Sequence, residues 1–242
     1  MVRYRIRYQK VGAVRFASHR DLLRVFRRSL AAADVPVCYS QGFNPHPKLS
    51  FGPSLRTGWE SLDEYMDVLL ERHLDDLADR CNATLPEGLR IVECAPVDET
   101  VPKLSADIAA ARYEVTVDGC NFEDGGPMTW RQFVGQPAEA GAQTDLPGRL
   151  EDSLRSQFGQ RSDDGSPRLL EINITQQDGG LRIDYLSTMV QGKSLFAEML
   201  EPYMGESLRM DVPLQVVRKE LLVERQGSYH SPISKGVVQN QS

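Results

Sequence analysis

The sequence predicts an α+β protein made of two consecutive units, each with an antiparallel sheet. Alternating apolar and polar residues, the pattern of half-buried strands, recur along the chain. Between them lie segments with apolar residues three or four positions apart, as in amphipathic helices. The two kinds of segment follow the same order in both halves of the 242-residue chain, which is long enough for two ordinary domains.

The first half contains the clearest elements. Residues 2–8, VRYRIRY, alternate apolar residues with arginines and predict a strand with one buried face. A helix is predicted at 19–33, with Ser18 as N-cap and Pro36 after its end. The remaining segments predict short strands near Val37–Tyr39 and 49–51, a strand at 64–70, a helix at 74–84 and a strand in LRIVECAPV. This β-α-β-β-α-β order is that of the ferredoxin-like fold.

The second half repeats this order. Strands are predicted at 111–117, on both sides of Asp178-Gly179-Gly180 and in VPLQVVRKELLVE, with helices around TWRQFV and at 193–204. The sequence thus predicts two tandem ferredoxin-like units, at 1–98 and 110–225. Part of 119–168 is predicted to be a long loop because Gly, Pro, Gln and Asp are frequent there. Residues 226–242 lack periodicity and predict a flexible tail.

Composition excludes several classes of protein. The four cysteines are too widely spaced for a zinc or iron–sulfur motif, so we expect reduced thiols and neither a metal nor another cofactor. No apolar run approaches the roughly 20 residues that span a bilayer, and the N-terminus lacks the apolar core of a signal peptide. We therefore expect a cytoplasmic protein without membrane association. Nucleotide-binding P-loop and GxGxxG motifs are absent, as are HExxH and GxSxG.

Positive charge is concentrated at the N-terminus. Residues 1–58 hold eleven Lys or Arg and two acids, a net charge of +9, whereas the rest of the chain carries −15. On the predicted helix, four arginines lie opposite the apolar face and no acid lies four residues from them, Asp21 being adjacent rather than facing. We call them the arginine ridge: Arg20, Arg24, Arg27 and Arg28. Guanidinium groups suit phosphate oxygens, so the ridge predicts binding to RNA or to an acidic partner; a solvated helix face is the alternative.

Residues 39–53, YSQGFNPHPKLSFGP, form a second candidate site. Pro45 and Pro47 each exclude the helical region for the residue before them and so hold Asn44 and His46 extended. Gly42 allows a turn or a close approach to a partner. Such a rigid loop can stack bases on its aromatic ring and contact phosphates through its cation.

The loop also has a purely structural interpretation, a proline-stiffened hairpin with Phe43 and Phe51 buried. If it binds RNA or a partner, the expected binding residues are Gln41, Gly42, Phe43, Asn44, His46 and Lys48.

Catalysis would depend on His19 and His46. Either imidazole can serve as general base in metal-independent RNA cleavage, with Lys48 or an arginine stabilising the charged transition state. Each histidine is also compatible with an ordinary exposed position, and a lone histidine like His19 is more often a simple exposed helix start.

The N-terminal motifs closely resemble the bacterial radical-SAM-linked family, a domain of unknown function. The resemblance covers about residues 1–100 and rests on Ser18-His19-Arg20-Asp21-Leu22, Tyr39 to Gly52, and Gly58-Trp59-Glu60-Ser61. It implies a cobalamin-binding radical SAM protein as partner, genes for ribonuclease E/G and ribosomal proteins nearby, and no established activity. The basic helix and Gly-rich loop on tandem ferredoxin-like units are also similar to the layout of CRISPR repeat-processing endonucleases.

We therefore expect an RNA-binding or substrate-presenting accessory module, partnered by a radical SAM enzyme that acts on RNA or a ribosome-related substrate. One alternative is a pure protein–protein adaptor whose basic face docks on that enzyme. The other is a metal-independent RNA endonuclease.

Overall fold

The computed structural model describes residues 1–118, 146–159, 165–177, 180–195 and 214–233. These residues form an α+β protein with antiparallel strand pairs and few helices, which confirms the predicted class. The strands are β1 (Val2–Lys10), β2 (Leu49–Phe51), β3 (Glu60–Leu70), β4 (Leu89–Val97), β5 (Ile108–Asp118), β6 (Leu169–Gln177), β7 (Gly180–Thr188), β8 (Leu214–Arg225) and β9 (Ser228–His230). The helices described are α1 (His19–Ala32), α2 (Leu77–Asn82), α3 (Leu104–Asp107) and α4 (Leu146–Phe158), with a 3-10 turn at Gly12–Phe16. None of these helices is long and apolar enough to span a membrane.

The chain divides into two compact units. The first comprises Met1–Ala109 together with Glu220–Ser242, and the second comprises Ala110–Lys219. The division differs from the predicted 1–98 and 110–225, because residues after Glu220 bind to the first unit. There the backbone N–H of Leu221 donates to the Asp63 carboxylate over 2.7 Å, and Arg225 forms an ion pair with Asp107.

In the first unit, β1 lies between β4 and β3, and β2 pairs with β3, all antiparallel. The chain order β1-α1-β2-β3-α2-β4 is the β-α-β-β-α-β order that the sequence predicts for residues 1–98. One face of this sheet forms the apolar core with α1 and α2. The core includes Tyr4, Ile6, Tyr8, Leu22, Phe26, Leu30, Met66, Val68, Leu77 and Cys81.

Helix α1 begins with a capping box. The Ser18 hydroxyl accepts from the Asp21 N–H at 3.3 Å, and the Asp21 carboxylate accepts from the Ser18 N–H at 3.2 Å. These bonds satisfy backbone donors that the first helical turn leaves without partners. The hydrogen bonds from Ser18 also lower the pKa of the Asp21 carboxyl. Ser18 is thus the N-cap, as the sequence predicts.

The opposite face of the sheet carries a buried ion network instead of the solvent-facing arginines that the alternation in β1 predicts. Arg5 is fully buried and binds Asp67 through two parallel hydrogen bonds of 2.9 and 3.1 Å. It also donates to Asp107 at 3.1 Å and to the Pro102 carbonyl at 3.0 Å. Burial alone lowers the pKa of Arg5, but the bonds to the two aspartates outweigh burial and raise it, so the guanidinium is charged.

Strand periodicity misses this burial because it identifies one apolar face and leaves the other to solvent. Here residues 98–107 and the end of the chain cover that second face. The Arg3 side chain donates to the carbonyls of Asp98 and Val101, both at 2.6 Å. Tyr65 lies within hydrogen-bond distance of Ser231, at 3.3 Å.

In the second unit, β7 pairs antiparallel with both β5 and β6, and β6 and β7 flank the turn expected at residues 178–180. Tyr113 and Tyr185 stack with ring centroids 5.3 Å apart. Helix α4 lies within 119–168, where the sequence predicts a loop over part of the range and no helix at these residues. The helix expected around TWRQFV and most of the one at 193–204 lie outside the described residues.

The predicted tail at 226–242 begins as ordered structure. β9 pairs with the end of β8, Glu224 opposite Tyr229, and Ile233 is buried. Residues 234–242 lie outside the described part of the chain.

Candidate functional site

Residues 38–48 form a hydrogen-bonded hairpin that carries the loop motif, and we call it the Phe43 hairpin. The Lys48 N–H donates to the Cys38 carbonyl at 2.9 Å, and the Ser40 N–H donates to the His46 carbonyl at 2.8 Å. The His46 N–H in turn donates to the Ser40 hydroxyl at 3.0 Å. At its base, the Cys38 N–H donates to the carbonyl of Leu69 in β3. The hairpin is therefore anchored to the sheet, with residues 41–45 at its tip.

The tip presents its side chains to solvent. Phe43 is fully exposed, and the exposed residues of the predicted binding set are Gln41, Gly42, Phe43, Asn44, His46 and Lys48. Gly42 has φ of +135°, a conformation that favours glycine, and no atom lies near the position of a β-carbon. The structural interpretation with Phe43 buried is therefore wrong, although Phe51 packs partly buried against the core.

Phe51 in β2 connects the hairpin to helix α1. Its ring meets the His19 ring edge-on, with centroids 5.2 Å apart, and lies 5.9 Å from the Phe26 ring. The adjoining cavity is about 10 Å³, which holds no more than about one water molecule. His19 thus has a packing contact at the helix start and is exposed to solvent.

The candidate catalytic residues lie on two elements, His19 on α1 and both His46 and Lys48 on the hairpin. His19 contacts Phe51, whereas His46 is joined through its backbone to Ser40 across the hairpin. Both histidines are described, and no hydrogen bond or ring contact connects them. Lys48 is exposed on the same hairpin as His46.

The arginine ridge lies on the solvent side of α1, opposite buried Leu22, Phe26 and Leu30. Arg20, Arg24 and Arg28 are exposed; Arg27 is half-buried, and its Nε has no hydrogen-bond partner. The expectation that no acid faces the ridge needs correction, because Asp21 lies 3.4 Å from Arg24, three residues along the helix. An ion pair this exposed stabilises by less than about 1 kcal/mol, so Arg24 can exchange Asp21 for another anion at little cost.

The structure also changes how the +9 charge of residues 1–58 is interpreted. Five of its cations bind within the first unit. Arg3 and Arg5 bind in the covered sheet face, Arg7 lies near Asp63 and Glu93, Lys10 donates to Ala17, and Arg15 pairs with Glu60. Arg20, Arg24, Arg28 and Lys48 are exposed, as is Arg56 beside the Trp59 ring, so most of the positive charge available to a partner lies on α1 and the hairpin.

The third motif, Gly58-Trp59-Glu60-Ser61, holds the 3-10 turn in place. The Glu60 carboxylate accepts from the Gly12 N–H at 2.9 Å and from Arg15 at 3.2 Å. The turn exposes Phe16, with the Arg15 guanidinium 4.9 Å from its ring centroid. Sequence reasoning misses this pair; the available signal is an aromatic residue just before the helix cap.

The described residues contain no group of three or more His, Cys, Asp or Glu side chains that can hold a metal ion. Cys38, Cys81 and Cys94 are free thiols, and Cys120 lies outside the described residues. Burial raises the pKa of Cys81 to about 11 and that of Cys94 to about 12. These two thiols are therefore protonated near neutral pH and weakly nucleophilic.

No curated protein matches the chain. Among the solved structures that do, one is described as an unknown protein from Galdieria sulphuraria, with 12% identity, a TM-score of 0.25 and coverage of 90% of this chain and 98% of that chain. Another is the CRISPR endoribonuclease Cse3 bound to 19-nucleotide RNA, with 10% identity, a TM-score of 0.19 and coverage of 78% and 83%. These TM-scores are too low to carry an argument about fold or function.

Residues 3–156, more than half of the chain, match the family described as "Uncharacterized protein conserved in bacteria (DUF2344)". The matched span includes the arginine ridge, the Phe43 hairpin and the segment that holds the 3-10 turn. The expectation of a domain of unknown function is thereby confirmed. The chain belongs to this family of uncharacterised bacterial proteins.

Proposed function

We propose that this protein is an RNA-binding or substrate-presenting accessory module. The observation that carries the proposal is Phe43, a fully exposed aromatic ring at the tip of a hydrogen-bonded hairpin. Its side chain has no packing role in the first unit. Stacking of one base on such a ring is worth about 1–3 kcal/mol.

The arginine ridge supplies the second part of the proposed RNA site. Its exposed arginines, Arg20, Arg24 and Arg28, lie four residues apart on one helix, and each guanidinium can bind phosphate oxygens through two parallel hydrogen bonds. The contact between Phe51 and His19 fixes the strand after the hairpin against the start of this helix. A ligand therefore meets both features on one rigid unit.

The proposal includes two tandem ferredoxin-like units. The strand orders β4-β1-β3-β2 and β8-β5-β7-β6 support this assignment, since each follows the 4-1-3-2 order of that fold, with Leu214–Lys219 of β8 in the second unit. RNA-binding domains with a four-stranded sheet commonly stack bases on the open sheet face. In the first unit that face is closed by residues 98–107 around buried Arg5, so RNA is bound by the ridge and hairpin instead.

The proposed partner is a cobalamin-binding radical SAM protein in the cytoplasm, to which this module presents RNA or a ribosome-related substrate. The motifs at Ser18–Leu22, Tyr39–Gly52 and Gly58–Ser61 support this partner through their resemblance to radical-SAM-linked proteins.

Fluorescence anisotropy with a labelled structured RNA tests the proposal. Affinity should fall by orders of magnitude between about 50 and 200 mM salt, because phosphate contacts release counterions. The triple variant Arg20→Gln, Arg24→Gln, Arg28→Gln should weaken binding and lower the salt slope by about one for each phosphate that it no longer binds. Arg90→Gln is the matched control, since it removes an exposed arginine on β4, away from α1.

Two results would reject RNA binding: no binding at about 50 mM salt, or binding that the triple variant leaves unchanged. In the first case, a pull-down with the radical SAM protein after nuclease treatment tests the adaptor function, in which the ridge docks on an acidic surface. RNA recovered from the binding assay in EDTA should be intact; 2′,3′-cyclic phosphate ends that disappear in His46→Ala would instead favour the endonuclease alternative.

A further inference from the structure

We propose a second base-stacking position for single-stranded RNA, formed by Phe16 and Arg15 at the entrance to the arginine ridge. The inference rests on the proposed RNA-binding function and adds a site outside the Phe43 hairpin. The Phe16 side chain is 62% exposed, and the 3-10 turn that carries it contains no buried residue. Phe16 therefore contributes little to the core, as expected for a residue that contacts a ligand.

The ring already has a cation on one side. The Arg15 guanidinium lies 4.9 Å from the Phe16 centroid, a distance at which it is attracted to the ring. Arg15 is also held by Glu60 at 3.2 Å. Unpaired RNA bases stack on aromatic rings and on guanidinium planes, and this pair offers both surfaces.

The 3-10 turn is held rigid by Gly58 and Glu60, which follow the Phe43 hairpin in the chain. The Gly58 N–H donates to the Arg15 carbonyl at 2.8 Å, and the Glu60 carboxylate accepts from the Gly12 N–H at 2.9 Å. Gly58 itself lies close to the ring: a β-carbon there would be 3.9 Å from Phe16 Cε1, and its φ of +91° favours glycine. A ring held in place before binding loses little conformational entropy when a base stacks on it.

The position of the turn in the chain indicates the class of ligand. Phe16 lies two residues before the Ser18 cap and four before Arg20, the first arginine of the ridge. A base stacked on Phe16 thus places its phosphates near the cations of α1. Because bases in a duplex are stacked and paired with one another, this position selects unpaired nucleotides.

The test compares a fluorescein-labelled ten-nucleotide single-stranded RNA with a duplex of the same sequence, by anisotropy at about 50 mM salt. Phe16→Ala should weaken single-strand binding by about 5- to 150-fold, the equivalent of removing one base stack, with little change for the duplex. Phe16→Tyr should retain the affinity. Val92→Ala is the control, since it shortens another exposed apolar side chain.

Trp59 fluorescence provides an independent signal for binding at Phe16, because Trp59 directly follows Gly58, which lies next to the Phe16 ring. In a Trp130→Phe background, single-stranded RNA should change Trp59 fluorescence in the wild-type turn and not in Phe16→Ala. Circular dichroism checks that each variant is folded.

The outcomes separate the two proposals. If wild type binds RNA through the ridge and Phe16→Ala binds single strands equally well, the stacking position is wrong and RNA binding stands. If wild type binds no RNA, both proposals fail. If Phe16→Ala loses only the radical SAM protein in a pull-down, the surface contacts protein and the RNA assignment of Phe16 is overturned.

Discussion

Replacing Arg5 by methionine should strongly destabilise the first unit. The substitution keeps much of the side-chain volume but removes the only cation that joins Asp67 to Asp107 among the described residues. The Arg5 side chain is 0% exposed, that of Asp67 6% and that of Asp107 1%. Removing one partner of a buried ion pair costs about 3–5 kcal/mol, because the remaining charge, here that of Asp67, stays buried without its cation, whereas Asp107 keeps Arg225. That loss is about a fifth or more of the roughly 5–15 kcal/mol that stabilises an ordinary domain.

Urea unfolding followed by Trp59 fluorescence, in a Trp130→Phe background, measures the effect on the first unit. Arg28→Met is the matched control, since it removes an exposed arginine and should change the free energy of unfolding by less than about 0.5 kcal/mol. The double variant Arg5→Met, Asp67→Leu should recover part of the loss, because it removes both charges of the bidentate pair.

A loss below about 1 kcal/mol in Arg5→Met, with an unchanged urea dependence, would refute the reasoning. It would mean that Asp67 finds other compensation, and that the network does not hold residues 98–107 on the sheet.

Three further predictions concern single residues. Burial raises the pKa of Asp63 to about 6, above its unfolded value of about 3.9, so the first unit should become about 1 kcal/mol more stable as pH falls from 7 to 5. In Asp63→Asn the urea midpoint should not show this gain. An identical pH dependence of the midpoint in both proteins would contradict the prediction. Ser18→Ala should lower the free energy of unfolding by about 1 kcal/mol by removing the cap of α1, whereas Ser18→Thr should keep most of that free energy. Thermal unfolding that does not distinguish the two variants would argue against the cap. Gly88→Ala should lower the melting temperature more than Gly42→Ala. Both glycines have positive φ, but only at Gly88 would the new β-carbon clash, because it would lie 2.4 Å from the Val11 carbonyl oxygen. Equal losses of melting temperature would show that the clash is relieved.

The elements of the first half were predictable because their signals are local. The apolar spacing and the Ser18 cap predict the start of α1 correctly and its end to within one residue. The predicted strand LRIVECAPV coincides with β4. In the second half, β6 and β7 follow from alternation about the glycine turn. The sequence does not predict helix α4, because the helix lies among Gly, Pro and Gln residues that favour a loop.

By itself, the sequence determined the α+β class, the strand and helix order of the first unit, the arginine face of α1 and the rigidity of the Phe43 loop. Each depends on residues within about a dozen positions of one another. Only the tertiary structure decided which of these charged and aromatic groups remain accessible. Arg5 is buried by Asp107 and Pro102, about a hundred residues away in the chain, whereas Phe43 is exposed because the strand bonds of its hairpin carry the tip away from the core. Local periodicity contains no information about such distant contacts, and those contacts select the surface available for binding.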